Sequence, residues 1–273
     1  MRTLIILGDT GFLGSAIFTL FSTSDLRVVA VNSRRLLILE NSTYSQHARS
    51  SGNPIEEISK FLDPECVVVN TIWGNLSHEN FDSVIHTEYA DQEISLLKKL
   101  EESNCRYISF GSIAEIDDPE ISPSRNTRYS NSKRRIAKEL EISPLNHVWL
   151  RIASLYGPGD RRSWLVPNLI NAYKTGLSVE LRNPAQLINL CHVSSLANEI
   201  FDIVNSNTQG VFNVTTQQWV TIEELHNSCK DLSEPEYVAR EVGPFSNTDP
   251  DALFLRSPSI RQYFREEFAK QEP

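Results

Sequence analysis

Short apolar runs alternate with amphipathic stretches through the first 150 residues of the chain. The apolar runs, which predict buried strands, are 3–7, 26–31, 66–70, 106–110 and 148–153. The stretches with helical periodicity between them are 15–21, 55–62, 79–103 and 129–141. A third strand is expected within the less regular residues 36–54. This alternation is typical of a parallel sheet with crossover helices, so we predict a Rossmann-type, doubly wound α/β fold.

Beyond residue 155 the pattern changes to shorter, mixed elements. Helices are predicted at 163–175, 194–205 and 221–230, with a turn at 183–184 and a strand at 211–214. The last 30 residues are expected to be irregular. We therefore predict two domains: a Rossmann domain over residues 1–155 and a smaller mixed α/β lobe over residues 156–273.

The composition is that of an ordinary soluble globular protein, with 40% hydrophobic and 22% charged residues. A net charge of −9 argues against nucleic acid or an anionic membrane as a partner. The first strand begins at residue 3, which leaves no room for a signal peptide, and no apolar run approaches the roughly 20 residues of a membrane span. Four widely spaced cysteines fit neither a disulfide framework nor a metal site. We expect a cytoplasmic protein that binds no metal.

The first predicted strand runs directly into a glycine-rich turn and then a helix. Glycine allows a tight turn and a close backbone approach, so the helix N-terminus can receive a pyrophosphate. The residues of this turn expected to bind a dinucleotide are Gly8, Thr10, Gly11, Phe12, Leu13 and Gly14. Asn70, at the end of a later strand, is expected to contact the same cofactor.

Cofactor preference is set at the end of the second strand, where an acidic residue binds the ribose 2′-hydroxyl of NAD. Here the sequence reads Asn32-Ser33-Arg34-Arg35, with no acid. Two guanidinium groups and a hydroxyl suit a 2′-phosphate, because arginine pairs with phosphate bidentately. We therefore expect NADP, with a solvated basic turn as the alternative interpretation.

Tyr129 and Lys133 are four residues apart on a predicted helix and share one face. An ammonium near a phenol favours the phenolate, which makes tyrosine a proton donor and acceptor. Ser112 follows the strand at 106–110, at the edge where open α/β sheets bind ligands, and can polarise a carbonyl alongside Tyr129. Ser109 is the competing choice. This set suggests a hydride-transfer enzyme.

Over roughly residues 1–230 the sequence resembles the extended short-chain dehydrogenase/reductases, also called the NAD-dependent epimerase/dehydratase family. The residues that match its glycine turn and its catalytic trio are Gly8, Gly11, Gly14, Ser112, Tyr129 and Lys133. Segments 151–159, 191–197 and 212–225 resemble parts of its substrate lobe. The resemblance implies a nicotinamide cofactor and a nucleotide-sugar substrate, since most members are epimerases, dehydratases or ketoreductases of such sugars.

Departures from the family pattern narrow the expected function. Sugar-nucleotide dehydratases place Asp-Glu after the catalytic hydroxyl residue, whereas this chain has Ile113-Ala114. The loop from Ser112 to Tyr129 is short, as in the 4-ketoreductases. We therefore expect NADPH-dependent reduction of the 4-keto group of a nucleotide-diphosphate 4-keto-6-deoxyhexose. The alternatives are a nucleotide-sugar epimerase, a reductase of a non-sugar carbonyl and a non-catalytic NADP-binding module.

The substrate is expected to meet residues from both predicted domains. They are Trp73, Ser112, Ser154, Arg161, Arg162 and Trp164. Ile188 stands where the family commonly has an arginine for the diphosphate, so Arg161 or Arg162, or less directly Arg256, would supply that charge. If none does, the substrate carries no diphosphate. By family analogy, helices 79–103 and 129–141 are expected to pair with a second copy in a homodimer.

Overall fold

A large sheet with helices on both faces dominates the fold. The computed structural model describes residues 2–40, 43–48, 54–74, 76, 80–117, 126–162, 164–181, 183–230 and 251–270. The strands are β1 (Thr3–Leu7), β2 (Arg27–Val31), β3 (Arg35–Glu40), β4 (Thr43–Ala48), β5 (Val67–Asn70), β6 (Arg106–Ser112), β7 (His147–Ile152), β8 (Ser154–Tyr156), β9 (Leu187–His192), β10 (Gly210–Thr216), β11 (Trp219–Thr221) and β12 (Ala252–Leu255). The α-helices are α1 (Phe12–Phe21), α2 (Pro54–Ile58), α3 (Ile85–Ser103), α4 (Arg128–Ile142), α5 (Leu165–Thr175), α6 (Val193–Val204), α7 (Ile222–Lys230) and α8 (Ile260–Ala269).

The large sheet has the order β12-β10-β7-β6-β5-β1-β2-β3-β4. All pairs from β12 to β2 are parallel, and only β3 and β4 run antiparallel to their neighbours. A smaller sheet pairs β8 with β9 in parallel and β9 with β11 antiparallel. The predicted Rossmann-type α/β fold is confirmed.

Alternate residues of the central strands pack on opposite faces of the sheet. In β1, Leu4 and Ile6 join a core with α1 and α6, whereas Ile5 and Leu7 join a core with α3 and α4. Both faces are buried, which explains why the strands read as continuous apolar runs. The carboxyl ends of the parallel strands meet at one edge, and this edge carries the candidate site.

The region after β2 differs from the prediction of one strand within 36–54. The chain turns back at once and forms the antiparallel strands β3 and β4, while residues 49–53 lie outside the described part. Asn32 makes the turn, because its side-chain oxygen accepts hydrogen bonds from the backbone N–H groups of Arg34 at 2.8 Å and Arg35 at 3.1 Å. Such side-chain turns need no glycine, so the sequence carries little sign of this hairpin.

Other boundaries shift in smaller ways. Helix α3 begins at Ile85 rather than at residue 79, which lies outside the described residues. Strand β6 continues to Ser112, so that Ser112 ends the strand instead of following it. The expectation of an irregular tail is wrong for residues 251–270, which form β12 and α8.

A third core belongs to the smaller lobe. It joins side chains of α5, α7 and α8 with those of β9 and β11. After residue 156, however, the chain also returns to the large sheet through β10 and β12. The division into domains at residue 155 stays a prediction. Within the described ranges, no helix is long and apolar enough to cross a membrane.

Candidate active site

The glycine turn between β1 and α1 is closely packed. Gly8 has a φ of 89°, in the left-handed region that glycine adopts without strain. A Cβ atom on Gly14 would lie 2.1 Å from the carbonyl oxygen of Gly8, so no larger residue fits without a shift. Helix α1 begins at Phe12, and its N-cap is Gly11, which has no side chain to cap the helix. A helix N-terminus of this kind favours an anionic ligand.

Three cavities lie along the carboxyl edge of the large sheet. The glycine-turn cavity, of about 300 Å³, has walls that include Gly11, Phe12, Leu13, Asn70, Trp73, Tyr129, Lys133 and Arg162. The lobe cavity, of about 190 Å³, has walls that include Ser112, Ile113, Tyr129, Ser154, Arg162, Trp164, Ile188 and Asn189. The α3 cavity, of about 470 Å³, has walls that include Leu7, Ile55, Asn70, Ile72, Tyr89 and Glu93. The glycine-turn cavity shares lining residues with the lobe cavity and with the α3 cavity, so it adjoins both of them.

The turn after β2 holds the two arginines predicted to bind a 2′-phosphate. Arg34 and Ser33 are exposed. Arg35 instead donates from Nη2 to the carboxylate of Asp9 at 3.3 Å, and Asn32 donates to the other oxygen of Asp9 at 2.8 Å. Asp9, which the sequence analysis did not select, is buried inside the glycine turn. Of the two predicted guanidinium groups, one is therefore paired with a buried carboxylate.

Tyr129 lies in the first turn of α4 and lines both the glycine-turn and lobe cavities. The side chain of Ser112 lies beside its hydroxyl. Burial raises the pKa of Tyr129 to about 12, against the opposing effects of the Ser112 hydroxyl and of the positive charge of Arg162. The phenol therefore keeps its proton at neutral pH. Arg162 is a cation that lowers this pKa. The same effect of Lys133 stays a prediction.

Lys133 lies one helical turn after Tyr129, and its ammonium is buried. It donates a hydrogen bond to the carbonyl oxygen of Phe110 at 2.7 Å and lies 3.5 Å from the ring centre of Trp73. Burial lowers the pKa of Lys133 to about 8, while the negative charges of Glu93 and Glu115 act in the opposite direction. The ammonium is thus mostly charged at neutral pH and loses its proton in mildly alkaline solution.

Ser112 has a structural role beside its predicted catalytic one. Its hydroxyl oxygen accepts a hydrogen bond from the N–H of Ala114 at 3.1 Å and caps a short 3-10 helix, Ile113–Glu115. The carboxylate of Glu115 accepts from the N–H of Ser112 at 2.6 Å, and also from Trp149 and Arg151 at 3.0 Å each. Glu115 therefore fixes the backbone of Ser112. The hydroxyl hydrogen of Ser112 remains for Tyr129 or a ligand oxygen.

Arg162 is the cation that lines the lobe cavity among the described residues. Its guanidinium donates two hydrogen bonds of 2.7 Å to the buried carboxylate of Asp160 and one of 3.0 Å to the carbonyl of Leu155. It also lies 4.6 Å from the ring centre of Phe12 in the glycine turn. Arg162 therefore connects the two cavities, with its charge largely balanced by Asp160.

The other predicted substrate residues divide into two groups. Ser154 and Trp164 line the lobe cavity, and Trp164 donates to the carbonyl of Leu76 at 3.1 Å. Trp73 lines the glycine-turn cavity instead, beside Lys133. Arg161 and Arg256 are exposed, and neither is among the described residues that line the three cavities. Ser109 donates to Glu93 at 2.5 Å and lies within β6, on the wall of the glycine-turn cavity.

Sequence reasoning missed the acidic and aromatic residues that support the trio. Glu115 stands three residues after Ser112, which is the spacing of a capping box, so its contact with Ser112 could have been predicted from the sequence. Asp9, Asp160 and His86 gave no such signal, because their partners are distant in sequence or depend on the fold. In the part of the chain that the structure describes, no group of three or more His, Cys, Asp or Glu side chains could hold a metal ion.

The model of the NAD dependent epimerase/dehydratase family matches residues 4–215. This match confirms the resemblance inferred from the motifs. No curated protein matches the chain significantly in sequence.

Solved structures share the fold over the full length of the chain. A UDP-N-acetylglucosamine 4-epimerase from Methanobrevibacter ruminantium, in complex with UDP-N-acetylmuramic acid, has 18% identity and a TM-score of 0.73, with 100% of both chains covered. The NAD-dependent NDP-hexosamine 5,6-dehydratase TunA of tunicamycin biosynthesis has 15% identity and a TM-score of 0.76, covering 100% of this chain and 99% of its own. The Bordetella bronchiseptica enzyme WbmG, in complex with NAD, has 16% identity and a TM-score of 0.67, covering 98% of this chain and 93% of its own. At these identities the likeness establishes the fold.

Proposed function

Because this chain belongs to the NAD-dependent epimerase/dehydratase family, we propose that it is an oxidoreductase that reduces a ketone with NADPH. One observation carries the proposal. The side chains of Ser112 and Tyr129 lie together where the glycine-turn and lobe cavities adjoin, with the ammonium of Lys133 one helical turn away. A carbonyl in the lobe cavity would thus meet two hydroxyl groups beside the space that leads to the glycine turn.

The described residues fit a nicotinamide dinucleotide. Gly14 leaves no room for a side chain between the turn and α1, and the helix N-terminus at Gly11 has no side-chain cap. The glycine-turn and α3 cavities adjoin, as an extended ligand with two halves requires. The residues that would hold it are Gly8, Thr10, Gly11, Phe12, Leu13, Gly14, Asn32, Ser33, Arg34, Arg35, Asn70, Tyr129 and Lys133. When bound, the reduced nicotinamide supplies a hydride to the carbonyl carbon.

Tyr129 supplies the proton that the reduced carbonyl oxygen needs. Its pKa of about 12 keeps the phenol protonated at neutral pH, which suits proton donation in a reduction. Ser112 donates a hydrogen bond that orients and polarises the carbonyl. The positive charges of Lys133 and Arg162 favour the phenolate that remains after proton transfer, because both lie on the walls that Tyr129 shares.

For the substrate we propose a nucleotide-diphosphate 4-keto-6-deoxyhexose, reduced at C4. Ile113 and Ala114 line the lobe cavity beside Ser112, where a dehydratase would need an acid and a base. Ser154 and Trp164 would contact the sugar or the base, and Arg162 lines both cavities. Exposed Arg34 supports NADPH, since it is available to a 2′-phosphate.

A nucleotide-sugar epimerase is the second candidate. Two of the solved structures with this fold are UDP-N-acetylglucosamine 4-epimerases, and one similar enzyme is in complex with NAD. An epimerase would need Tyr129 to remove a proton from a substrate hydroxyl and then to return it, whereas a reductase needs only the donation of a proton.

Oxidation of NADPH, followed by its absorbance, tests the proposal with dTDP-, CDP- and GDP-4-keto-6-deoxyhexoses made in place by their dehydratases. Rapid oxidation with one of them is the expected result, and the product's stereochemistry at C4 then follows from NMR. Purified protein that carries tightly bound oxidised cofactor and needs none added would favour the epimerase. NADPH binding without turnover of any ketone would favour a non-catalytic module. Turnover of small uncharged ketones alone would favour the non-sugar reductase.

We also propose a homodimer through α3 and α4. The two helices pack side by side on one face of the large sheet, and the ion pair Arg135–Asp91 joins them at 2.6 Å on their exposed side. Ile142 at the end of α4 is 81% exposed, which a second copy would cover. Light scattering after size exclusion gives the mass in solution, and a monomer would contradict the dimer.

A further inference from the structure

Lys133 has an unusual environment for a charged group that the proposed reaction uses. Its ammonium is buried and donates one close hydrogen bond, to the carbonyl of Phe110. It also lies 3.5 Å from the ring centre of Trp73. A desolvated ammonium over an indole face is attracted by the electrons of the ring, most strongly when the ring is tryptophan. Trp73 is therefore an electrostatic partner of Lys133 as well as a packing neighbour.

The indole of Trp73 is itself held in place. Its Nε1–H donates to Nδ1 of His86 at 3.2 Å, and the planes of the two rings are nearly parallel, with an interplanar angle of 8°. Since the indole N–H only donates, Nδ1 must accept, and the ring proton of His86 is on Nε2. That proton is donated to the carbonyl of Asn80 at 2.8 Å. His86 is fully buried at the start of α3, so one rigid element fixes the orientation of Trp73.

The same two rings support Tyr129. The ring of Tyr129 meets Trp73 edge-on at a centroid distance of 5.9 Å and meets His86 edge-on at 5.3 Å. Phe81 stacks on Tyr129 at 5.3 Å and completes the enclosure. Trp73 thus contacts both members of the Tyr129–Lys133 pair, although it comes from the loop after β5 and they come from α4.

We propose that Trp73 is a positioning residue that holds the ammonium of Lys133 in its charged form for the reaction, and that His86 holds Trp73. The reaction in question is the proposed reduction, on which this inference rests. Trp73 was expected to bind substrate, and its place beside Lys133 gives it a different task. The alternative is that Trp73 only fills space, in which case any apolar side chain of similar volume would serve.

The direct test is the titration of Lys133 in the protein without substrate. Lysine labelled with ¹³C at Cε gives one NMR signal per lysine, and the signal absent from Lys133→Arg belongs to Lys133. We expect Trp73→Leu to move the titration midpoint of this signal to lower pH by about one unit, because the charged form loses the ring. Trp73→Phe keeps a ring and should shift it less. An unchanged midpoint in Trp73→Leu would overturn the proposal.

Two further variants separate charge stabilisation from simple packing. Trp164→Leu removes an indole that packs on Phe81 at 6.1 Å, and it should leave the Lys133 midpoint unchanged. His86→Phe keeps a ring but cannot accept the indole N–H, and should shift the midpoint in the same direction as Trp73→Leu, by less. A normal midpoint in His86→Phe would remove His86 from the proposal. If Trp73→Leu does not fold, Trp73→Met provides the same ring-free comparison.

Kinetics connect the titration to catalysis. With a ketone that is turned over, we expect Trp73→Leu to lower kcat about tenfold and to move the alkaline fall of kcat to lower pH, with less than twofold change in substrate KM. A raised KM with an unchanged kcat would return Trp73 to substrate binding. Because the titration needs no substrate, its result can be interpreted even if no ketone is reduced. Failure of turnover therefore counts against the proposed function, and failure of the titration counts against this inference.

Discussion

The glycine-turn cavity and the lobe cavity share Tyr129 and Arg162 but are built in different ways. The first includes the glycine turn, and its walls carry the buried charges of Glu93 and Lys133. The second is lined mostly by apolar side chains, from residues between 76 and 222. Its described cation, Arg162, is already paired with Asp160.

This contrast explains which half of the site can be recognised in a sequence. A glycine turn depends on backbone geometry, which allows few residue types at fixed spacing. A pocket of mainly apolar side chains accepts many residues of similar volume, and its shape arises only when distant segments meet. The chemistry at the shared wall is therefore better defined than the identity of the substrate.

The largest expected effect comes from Tyr129, which belongs to both cavities. Tyr129→Phe removes the proton donor and should lower kcat about a thousandfold, while NADPH binding changes little because the ring remains. Turnover with the ketone substrate and NADPH fluorescence measure the two effects.

A matched control uses a tyrosine outside the three cavities. Tyr173→Phe removes a hydroxyl that donates to the carbonyl of His226 at 3.5 Å in the lobe, and it should keep normal turnover. Full activity in Tyr129→Phe would reject the proposed mechanism.

The next effect tests the glycine-turn cavity alone. Gly14→Ala forces a Cβ atom to within 2.1 Å of the Gly8 carbonyl, which should destabilise the fold by about 3 kcal/mol and weaken NADPH binding at least tenfold. In Gly11→Ala the nearest atom is 3.3 Å away, so its loss of stability should be smaller. Chemical denaturation and NADPH titration compare the variants. Equal stability of the two would contradict the packing argument.

The sequence alone could predict the parts of the molecule that rest on local rules. The buried strands β1, β2, β5, β6 and β7 stand out as apolar runs, and the spacing of Tyr129 and Lys133 places them on one helical face. The reversal of the chain from β2 into β3 was missed because Asn32 makes this turn with its side chain, without the glycine that signals most tight hairpins. The periodic residues Ile260, Tyr263 and Phe264 could have revealed α8.

Features that depend on distant partners could not be predicted. Nothing in the sequence of β10 or β12 tells that these strands join the large sheet rather than the lobe. Arg35 looked available to a phosphate until the fold paired it with Asp9, 26 residues earlier. The pKa of Tyr129 was expected to fall near Lys133, but burial outweighs the nearby charges. Desolvation is a property of the assembled core, and the local sequence does not give its size.

Replacement of Arg162, for which we expect a moderate effect, should show whether this residue binds the substrate or the cofactor. Under the proposed function, Arg162→Gln raises the KM of the nucleotide sugar about tenfold through the lost charge, with less than twofold change in the dissociation constant of NADPH. Steady-state kinetics and NADPH titration give the two values. If the dissociation constant of NADPH rises instead and the KM does not change, the guanidinium of Arg162, beside Phe12, binds the cofactor. The lobe cavity would then accept an uncharged ketone.

The smallest effect concerns the two arginines after β2. Arg34 is exposed, whereas Arg35 is paired with Asp9, so Arg34→Ala should weaken NADPH binding about tenfold and Arg35→Ala only about threefold. Neither change should alter NADH binding, which involves no 2′-phosphate. Asp9→Asn should tighten NADPH binding, because it releases the charge of Arg35. Tighter binding of NADH than of NADPH to the unaltered protein would contradict the proposed preference for NADP.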